Sequence, residues 1–235
     1  MIKGLYQAAS NLIAKQKNID ITANNLANIN TTGFKREVPF SEVMARLDKQ
    51  PAKQITDLSK GSFVKTSNTF DLAISGDAFF MVKSENGTEL TSNGNFKVDD
   101  EGFLSDANGN RVMGVNGEID LTEAFLGKQK TLEINKEGEI KLDNEIINKL
   151  LIGKIDDSLK MTRVSGQNFA FTEGGYTEAG VDEYEINQGY LEESNINPVI
   201  EMKNMIQIEK DFEATKKMIG YMDQLMAMNK EIGRI

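Results

Sequence analysis

Residues 3–28 read KGLYQAASNLIAKQKNIDITANNLAN, and apolar side chains recur in this stretch every seven residues. The repeat consists of Leu5, Leu12, Ile19 and Leu26, and it is widened by Ala8, Ala9, Ile13 and Ala23. A seven-residue repeat keeps one face of a helix turned toward a partner helix. The stretch therefore predicts a long N-terminal helix that packs against another helix.

Residues 198–233 carry a matching stripe at the a and d positions of a heptad, formed by Met205, Ile208, Phe212, Ile219, Met222 and Met226. At a rise of ~1.5 Å per residue, about 36 residues span roughly 54 Å, which is longer than a small domain needs. Helices of this kind usually bury their stripes against other chains. We therefore expect the two ends to pair as a coiled coil and the protein to be an assembly subunit.

The composition argues against several classes of function. The 235 residues include no Cys, His or Trp, so the commonest general base, the thiol nucleophile and most transition-metal ligand sets are missing. We therefore predict no enzyme activity, no cofactor and no metal. The net charge of −9 argues against nucleic acid as a partner. No apolar run approaches the ~20 residues of a membrane span, and the N-terminus lacks a signal-peptide pattern.

The segment from Asn24 to Gly33 holds four Asn and two Thr residues, whose side chains compete for the backbone hydrogen bonds of a helix. Gly33 can take a positive φ, so we expect the first helix to end here, before the aromatic Phe34. Asn24 and Asn28 share a helix face, where their amides could bind a neighbouring chain. An ordinary helix end is the alternative.

Residues 71–190 predict one mostly antiparallel β domain. Asn-Gly supplies the positive φ angles of tight hairpins, so we expect hairpin turns at 86–87, 93–94, 108–109 and 116–117. Short strands are also predicted at 131–134, 139–142, 150–155 and 169–171, with a small helical piece near 121–126. The fold class is therefore α+β, mainly β, with segments at 1–34 (helix and turn), 35–70 (linker, with a helical turn or two at 42–49), 71–190 (β domain) and 191–235 (helix).

Three stretches resemble chemical sites only superficially. Residues 106–110 suggest a calcium loop, but the glycine and the bidentate glutamate of an EF-hand are misplaced. Asp99, Asp100 and Glu101 are adjacent acids, which usually form a solvated turn rather than a catalytic pair. The methionines of the last helix favour packing over ligand binding. None of the three predicts a site.

Two motifs, one near each end, carry a family resemblance. ANNLANINTTGFK (23–35) is similar to the ANNxANxxTxGFK-type signature of the flagellar rod and hook family of axial proteins. INQGYLEESNINPVIEMKNMI (186–206) resembles the family's QGxLExSNVNxVxEMxxMI motif. The β stretches at 61–82 and 90–114 resemble the family as well. The chain departs from the family's RxYE-like step, because it has Lys210-Asp211-Phe212-Glu213 there.

The resemblance implies a structural subunit that stacks helically into the hollow rod of the flagellar basal body. This rod spans the periplasm, transmits motor torque to the hook and lets export substrates pass; proximal and distal positions both stay open. Export without a cleavable signal through the flagellar export apparatus is also implied. The implied partners are other copies, other rod and hook axial proteins, and the ring proteins around the rod.

The predicted assembly interface combines the helix stripes with the two motifs. Its residues are Leu5, Leu12, Ile19, Asn24, Asn25, Leu26, Asn28, Thr32, Gly33, Phe34, Gln188, Gly189, Leu191, Ser194, Asn195, Asn197, Met202, Met205, Ile208, Phe212, Ile219, Met222 and Met226. Two other functions remain as alternatives. One is a secreted coiled-coil adhesin or effector. The other is a peptidoglycan-acting enzyme that would use Asp99 or Glu101 with a second carboxylate.

Overall fold

The computed structural model describes residues 2–39, 55–85, 87–125, 132–155, 161–171 and 176–232. Two long helices, α1 (Ile2–Ala27) and α3 (Pro198–Ile232), confirm the helices predicted at the two ends. A short helix α2 (Thr122–Phe125) confirms the helical piece predicted near residue 121. The helical turns predicted at 42–49 lie outside the described residues.

Nineteen strands are described between the long helices, together with a 3₁₀ turn at Val181–Glu183. The strands are β1 (Glu37–Val38), β2 (Ile55–Thr56), β3 (Phe63–Lys65), β4 (Leu72–Gly76), β5 (Ala78–Ser84), β6 (Gly87–Thr91), β7 (Lys97–Val98), β8 (Leu104–Ser105), β9 (Arg111–Gly114), β10 (Gly117–Glu118), β11 (Leu132–Ile134), β12 (Glu139–Leu142), β13 (Glu145–Lys149), β14 (Ile152–Lys154), β15 (Met161–Ser165), β16 (Asn168–Phe171), β17 (Thr177–Glu178), β18 (Tyr184–Gln188) and β19 (Tyr190–Glu192). The pairs formed by β3 to β19 are antiparallel, which confirms the α+β, mainly β class.

The chain divides into two compact units. The first consists of Met1–Ala27, Glu37–Ile55 and Ile196–Ile235, and the second of Asn28–Arg36 and Thr56–Asn195. Each unit thus combines segments that are separated in the sequence by residues of the other unit. The predicted segments 1–34, 35–70, 71–190 and 191–235 describe roles in an assembly, and they stay a prediction.

The first unit is built on α1 and α3, which pack against each other in antiparallel orientation. The order of their contacts shows the orientation. A Cβ on Gly4 would lie 3.8 Å from Met222 Cε, Lys15 Nζ is 3.4 Å from Asp211 Oδ2, and Asn25 Nδ2 is 3.4 Å from Glu201 Oε2. The predicted stripe of α3 is half-buried along its length, at Met205, Ile208, Phe212, Ile219, Met222 and Met226.

The buried face of α1 is not centred on the predicted leucine repeat. The buried side chains are Ala8, Asn18, Ile21, Thr22 and Asn25. By contrast, Leu12, Ile19 and Leu26 are only half-buried, and Ile13 is 73% exposed. Small and polar side chains allow α1 to lie close to α3, and this rotates the apolar repeat toward the edge of the contact.

The second unit contains a ten-stranded sheet in the described residues, and seven of its strands follow the order β15-β16-β6-β5-β9-β8-β7. Of the other three, β10 pairs with β9, β14 pairs with β5, and β17 pairs with β14. Strand β5 lies inside it and is buried on both faces. Phe80 and Val82 point into the larger hydrophobic cluster, which also contains Leu72 and Ile186. Phe79 and Met81 point to the opposite side and pack with Leu90, Met161 and Phe169.

The last strands of this unit return to its first strands. Strand β18 pairs with β4 over five residues, from Tyr184 opposite Gly76 to Gln188 opposite Leu72. Strand β19 then pairs with β3, which places Leu191 opposite Val64. The β unit is therefore closed by pairing between segments that are more than a hundred residues apart in sequence.

The Asn-Gly prediction is confirmed at two turns and wrong at one. Gly109 has φ of +86° in the connection from β8 to β9, and Gly117, the first residue of β10 after the turn from β9, has φ of +104°. Asn93-Gly94 is no hairpin turn, because both residues are buried and Gly94 lacks a positive φ. A Cβ on Gly94 would lie 1.7 Å from the Leu72 carbonyl oxygen, so a close backbone approach requires the glycine. Gly87 has φ of +120°, and Asn86 lies outside the described residues.

Candidate functional site

The two motifs that carry the family resemblance meet in the second unit. We call this meeting point the motif junction and define it as residues 32–36, 57–61 and 188–195. The Gly33 backbone N–H donates to the Glu192 carbonyl at 2.8 Å, and the Arg36 N–H donates to Asn195 Oδ1 at 2.7 Å. A segment from the beginning of the chain is thus fastened to a segment near its end.

A buried ion cluster lies at the centre of the motif junction. Lys35 Nζ is 2.6 Å from Glu192 Oε1, and both side chains are 1% exposed. Lys35 Nζ also donates to the Ser59 carbonyl at 2.9 Å. The Gly61 N–H donates to Glu192 Oε1 at 2.9 Å, and Lys60 Nζ lies 3.4 Å from Glu192 Oε2. Glu192 therefore connects residue 35 with residues 60 and 61.

The charged form of Lys60, the second lysine of the cluster, is destabilised by burial. Burial lowers the pKa of Lys60, and the Glu192 carboxylate opposes this effect only in part. Lys60 Nζ further donates to the Ala78 carbonyl at 3.0 Å and lies 5.3 Å from the centre of the Phe79 ring. A buried ion pair contributes little net stability compared with an apolar pair, but removal of one partner leaves an uncompensated charge. The cluster therefore favours one arrangement of the three segments over others.

Two glycines allow the backbones of the motif junction to approach closely. Gly33 has φ of +67°, and a Cβ there would lie 2.4 Å from the Asn93 backbone nitrogen. A Cβ on Gly61 would lie 2.0 Å from the Glu193 carbonyl oxygen. No real side chain tolerates such distances, so each position requires glycine for space, and Gly33 requires it for its backbone conformation as well.

The side-chain amide of Asn195 and the ring of Phe34 complete the motif junction. Asn195 Nδ2 donates to the carbonyls of Asp57 and Ser59, both at 2.9 Å. Phe34 is 2% exposed, and the Arg163 guanidinium lies 4.3 Å from the centre of its ring. Arg163 also donates to the Lys35 carbonyl at 2.6 Å. Strand β15, which carries Arg163, thus covers the segment after Gly33.

A separate polar site lies in the first unit, around Asn25. This side chain is completely buried; its Nδ2 donates to the Glu37 carbonyl at 2.8 Å, and its Oδ1 accepts from the Glu37 N–H at 2.9 Å. The buried Glu201 carboxylate lies on the same amide. Asn197 caps α3 by accepting from the N–H groups of Val199 and Ile200 at 3.1 and 3.2 Å. These amides are engaged within the chain.

The remaining predicted interface residues differ in exposure, and their role in assembly stays a prediction. Leu5 lies within α1. Gly189 and Leu191 are buried; Asn28, Thr32, Gln188 and Ser194 are half-buried; Asn24 and Met202 are exposed. The predicted residues of the second unit are thus brought together at or beside the motif junction. Among the predicted residues of α1 and α3, those that form half-buried stripes are Leu12, Ile19, Leu26, Met205, Ile208, Phe212, Ile219, Met222 and Met226.

The acids weighed as a catalytic pair in the sequence, Asp99 and Glu101, are engaged in a turn and in ion pairs. Asp99 accepts from the Phe103 N–H, which holds the pKa of its carboxyl below the usual value, and Arg111 is paired with Asp99, Glu101 and Glu118. Asp106 accepts from the N–H groups of Asn108 and Asn110, as expected of a turn. The described residues also hold no metal-binding group of three or more His, Cys, Asp or Glu side chains, and none of the described helices is long and apolar enough to cross a membrane.

Three family models match the chain in the order that the motifs suggest. Residues 5–35 match the model described as flagella basal body rod protein, and residues 73–142 match the flagellar hook protein FlgE/F/G D1 domain. Residues 187–228 match the C-terminal model of the flagellar basal body rod FlgEFG protein. The two terminal models contain the two motifs of the junction.

Individual relatives extend the similarity over nearly the whole chain. The flagellar basal-body rod protein FlgF of Caulobacter vibrioides is 30% identical over 93% of each chain. FlgF of Rhizobium meliloti is 31% identical over 91% of this chain and 90% of its own. FlgG of Borreliella burgdorferi is 28% identical over the full length of both. The chain belongs to the flagellar basal-body rod protein family.

Several residues of the motif junction in this rod-family chain were not predicted as site residues from the sequence. Lys35 and Glu192 were recognised as motif positions only, and Lys60 and Arg163 were not singled out. One available signal was that the two motifs contribute opposite charges, a Lys beside Phe34 and a Glu beside Leu191. Nothing in the sequence pairs Lys60 or Arg163 with these motifs, because the contacts depend on the fold.

We expect Gly33→Ala to destabilise the β unit of this rod-family chain by more than about 1 kcal/mol, because the conformation and the space both exclude a Cβ. The free energy of unfolding in denaturant measures the effect. Gly166→Ala is the matched control, since Gly166 also has a positive φ of +50° but nothing within 4 Å of a built Cβ. Equal losses in the two variants would show that the contact with Asn93 contributes nothing.

Proposed function

We propose that the chain is a structural subunit of the bacterial flagellar basal-body rod. In this role it polymerises helically into the hollow shaft that transmits torque from motor to hook and lets export substrates pass. The similarity to rod proteins along nearly the whole chain, with both terminal motifs in order, carries the proposal. The chain would leave the cytoplasm through the flagellar export apparatus and would contact other axial proteins and the surrounding rings.

The half-buried stripes of the first unit support a role in assembly. Leu12 and Ile19 of α1 and Phe212 and Ile219 of α3 stay partly accessible in the single chain. Each stripe can therefore bury further apolar surface against a neighbouring copy, at ~25 cal/mol per Å². A repeated contact between different faces generates a helical filament when its rotation does not close a ring, and a rod requires a contact of this kind. The segments 1–34 and 191–235 would form the inner layer and 71–190 the outer layer, with 35–70 as a bridge.

The motif junction has a different role in this proposal. Lys35 and Glu192 are buried and paired within one chain, so they hold the segment after Gly33 against the end of β19 inside the second unit. We infer that the two family motifs hold the subunit in its assembly-competent form. The contacts between copies are then made mainly by the stripes of the helices.

An enzymatic role has less support than a structural one. The acids considered for peptidoglycan chemistry, Asp99 and Glu101, share Arg111 with Glu118, so these carboxylates are paired rather than poised for proton transfer. The relatives are named as rod proteins. The adhesin or effector alternative finds no support in the comparisons. We propose that the chain has no catalytic activity.

Deletion of the gene tests the proposed function. Cells without the protein should be immotile and should lack complete basal bodies, and expression of the intact chain should restore both. Negative-stain electron microscopy of purified basal bodies provides the structural readout, and swimming in soft agar the functional one. Complete basal bodies in a motile deletion strain would contradict the rod assignment.

Hydrogen exchange tests whether the terminal helices depend on assembly. In a verified monomer, we expect the amides of α1 and α3 to exchange faster than those of β4, β5 and β18, because a two-helix unit with half-exposed stripes opens at a lower free energy. In purified basal bodies the same helix amides should be protected. Strong protection of both helices in the monomer would count against assembly-dependent ordering.

A further inference from the structure

The same dipeptide, Asn-Gly, occurs in the described chain in two opposite environments. Asn108-Gly109 lies in an exposed connection, and the exposed Asn116 directly precedes the half-buried Gly117 at the start of β10; a Cβ built on either glycine would have nothing within 4 Å. Asn93-Gly94 is buried, with Asn93 9% exposed. The chain therefore contains its own comparison between an accessible and a protected Asn-Gly pair.

We propose that Asn108 and Asn116 are sites of spontaneous deamidation, whereas Asn93 is protected by the fold. In this reaction the backbone nitrogen of the following glycine attacks the Asn side-chain carbon Cγ. A new N–Cγ bond forms, the bond between Cγ and Nδ2 breaks, and the proton of the glycine N–H leaves with the amide nitrogen as ammonia, which gives a five-membered succinimide. Water then opens the ring at either carbonyl and yields aspartate or isoaspartate. Water is the only co-reactant.

The exposed turns leave the side-chain amides accessible, and at Asn108 one hydrogen bond, from the Gly109 N–H to the Asp106 carbonyl at 3.2 Å, must open before the ring closes. Glycine has no Cβ to shield its backbone nitrogen, and its backbone can adopt the range of angles that ring closure needs. Among the described residues, no hydrogen bond holds the side-chain amide of Asn108 or Asn116. Asn108 also lines an open surface groove of about 610 Å³, together with Lys83 and Arg111, so water reaches the site.

The Asn93 site fails the same requirements. Asn93 Oδ1 accepts from Thr32 Oγ1 at 3.0 Å and from the Asn95 N–H at 3.1 Å, which fixes the side-chain amide. Gly94 is pressed against the Leu72 carbonyl, and its own carbonyl accepts from the Leu72 N–H at 3.0 Å. Ring closure at Asn93 therefore requires local opening of the β unit, and its rate should follow the population of the open form.

Each conversion changes the surface of the β unit. A neutral amide becomes a carboxylate, which adds one negative charge to a chain with a net charge of −9. At Asn108 the new carboxylate lies close to Asp106, whose side chain already accepts from the backbone of this turn. An isoaspartate product also inserts an extra carbon into the main chain, which changes the geometry of the turn.

Peptide mapping of the aged protein tests the proposal. The intact folded chain is incubated at mildly alkaline pH, digested with trypsin and analysed by fragment-ion mass spectrometry, in parallel with a sample incubated in denaturant. Asn108 lies in the peptide 98–111 and Asn116 in 112–128, whereas Asn93 shares the peptide 84–97 with Asn86, so fragment ions must separate those two. Methylation of isoaspartyl carboxyl groups by a carboxyl methyltransferase provides an independent readout.

We expect both Asn108 and Asn116 to deamidate in the folded chain and Asn93 to react at least about tenfold more slowly there than in denaturant. The variant N108Q/N116Q should lose the acidic forms that fragment ions assign to residues 108 and 116 in the aged wild-type chain. Folded protein in which Asn108 and Asn116 stay intact while both react in denaturant would overturn the proposal. Equal rates at Asn93 in the folded and denatured samples would overturn the explanation by burial.

Discussion

Replacing Glu192 with alanine should lower the free energy of unfolding of the β unit by about 3–5 kcal/mol, the range observed when one partner of a buried ion pair is removed. The variant leaves the Lys35 ammonium without its carboxylate at a position where the side chain is 1% exposed. It also removes the acceptor for the Gly61 N–H. Chemical denaturation followed by far-ultraviolet circular dichroism measures the change.

A matched control separates burial from charge. Lys136 and Glu185 form an ion pair of the same length, 2.6 Å, but their side chains are 77% and 46% exposed. Glu185→Ala should therefore cost far less stability than Glu192→Ala, because an exposed ion pair contributes little. If Glu192→Ala were as mild as Glu185→Ala, the buried cluster would not hold the motif junction together.

A double variant separates the unpaired charge from the lost volume. Lys35→Met combined with Glu192→Leu replaces the buried pair by apolar side chains, and it should lose less stability than the sum of the two single variants. Additive losses would mean that the two side chains act independently. In that case, the 2.6 Å contact between them would be incidental.

Phe212→Asp should abolish motility while the β unit stays folded and the chain is still exported. Phe212 is half-buried on the stripe of α3, and a carboxylate without a partner is costly enough at an apolar contact to defeat it. Thermal melting of the purified chain and motility of cells carrying the variant are measured together. Motile cells with assembled basal bodies would contradict the role of the stripe.

The control for this variant is Ala214→Asp, which introduces the same side chain at an exposed position of the same helix. It should leave the purified monomer as stable as the wild type. If Phe212→Asp alone unfolded the monomer, Phe212 would act by packing within its own chain. An intact and exported Phe212→Asp monomer in immotile cells would support its role between copies.

Local patterns predicted the elements of the fold well. The seven-residue repeats located α1 and α3 because helix periodicity is a property of neighbouring residues. Glu139–Leu142 occurs as a strand where the alternation of EIKL predicted it, and Gly109 and Gly117 have the positive φ values that their turns need. These features depend on contacts within a few residues, so they can be read from the sequence.

Features that depend on distant segments were not predictable from one sequence. Asn93-Gly94 has the composition of a hairpin turn, but Leu72 and Thr32 pack against it and the tertiary structure decides its conformation. On α1, the polar Asn18 and Asn25 are buried while Leu12 is half-exposed, because the approach of α3 selects the face. The pair Lys35–Glu192 joins residues 157 positions apart. No local pattern indicates such a contact.

The family motifs illustrate the difference between recognising a site and understanding it. They identified the family from sequence, and Gly33, Phe34 and Asn195 were expected at contacts between chains. The structure gives these residues contacts inside the second unit: Gly33 with Glu192, Phe34 with Arg163, and Asn195 with Asp57 and Ser59. Their place at contacts between chains stays a prediction. Their contribution to assembly, in our proposal, is to hold the subunit in shape.

A side-chain-resolution electron cryomicroscopy map of basal bodies purified from the native organism tests the central claim most directly. We predict that the chain occupies the rod, that α1 and α3 lie in its inner layer with Leu12, Ile19 and Phe212 at contacts between copies, and that Lys35 and Glu192 pair within each copy. A rod that lacks this chain would contradict the account. So would a rod in which the copies touch only through their β units while the stripes of α1 and α3 face solvent.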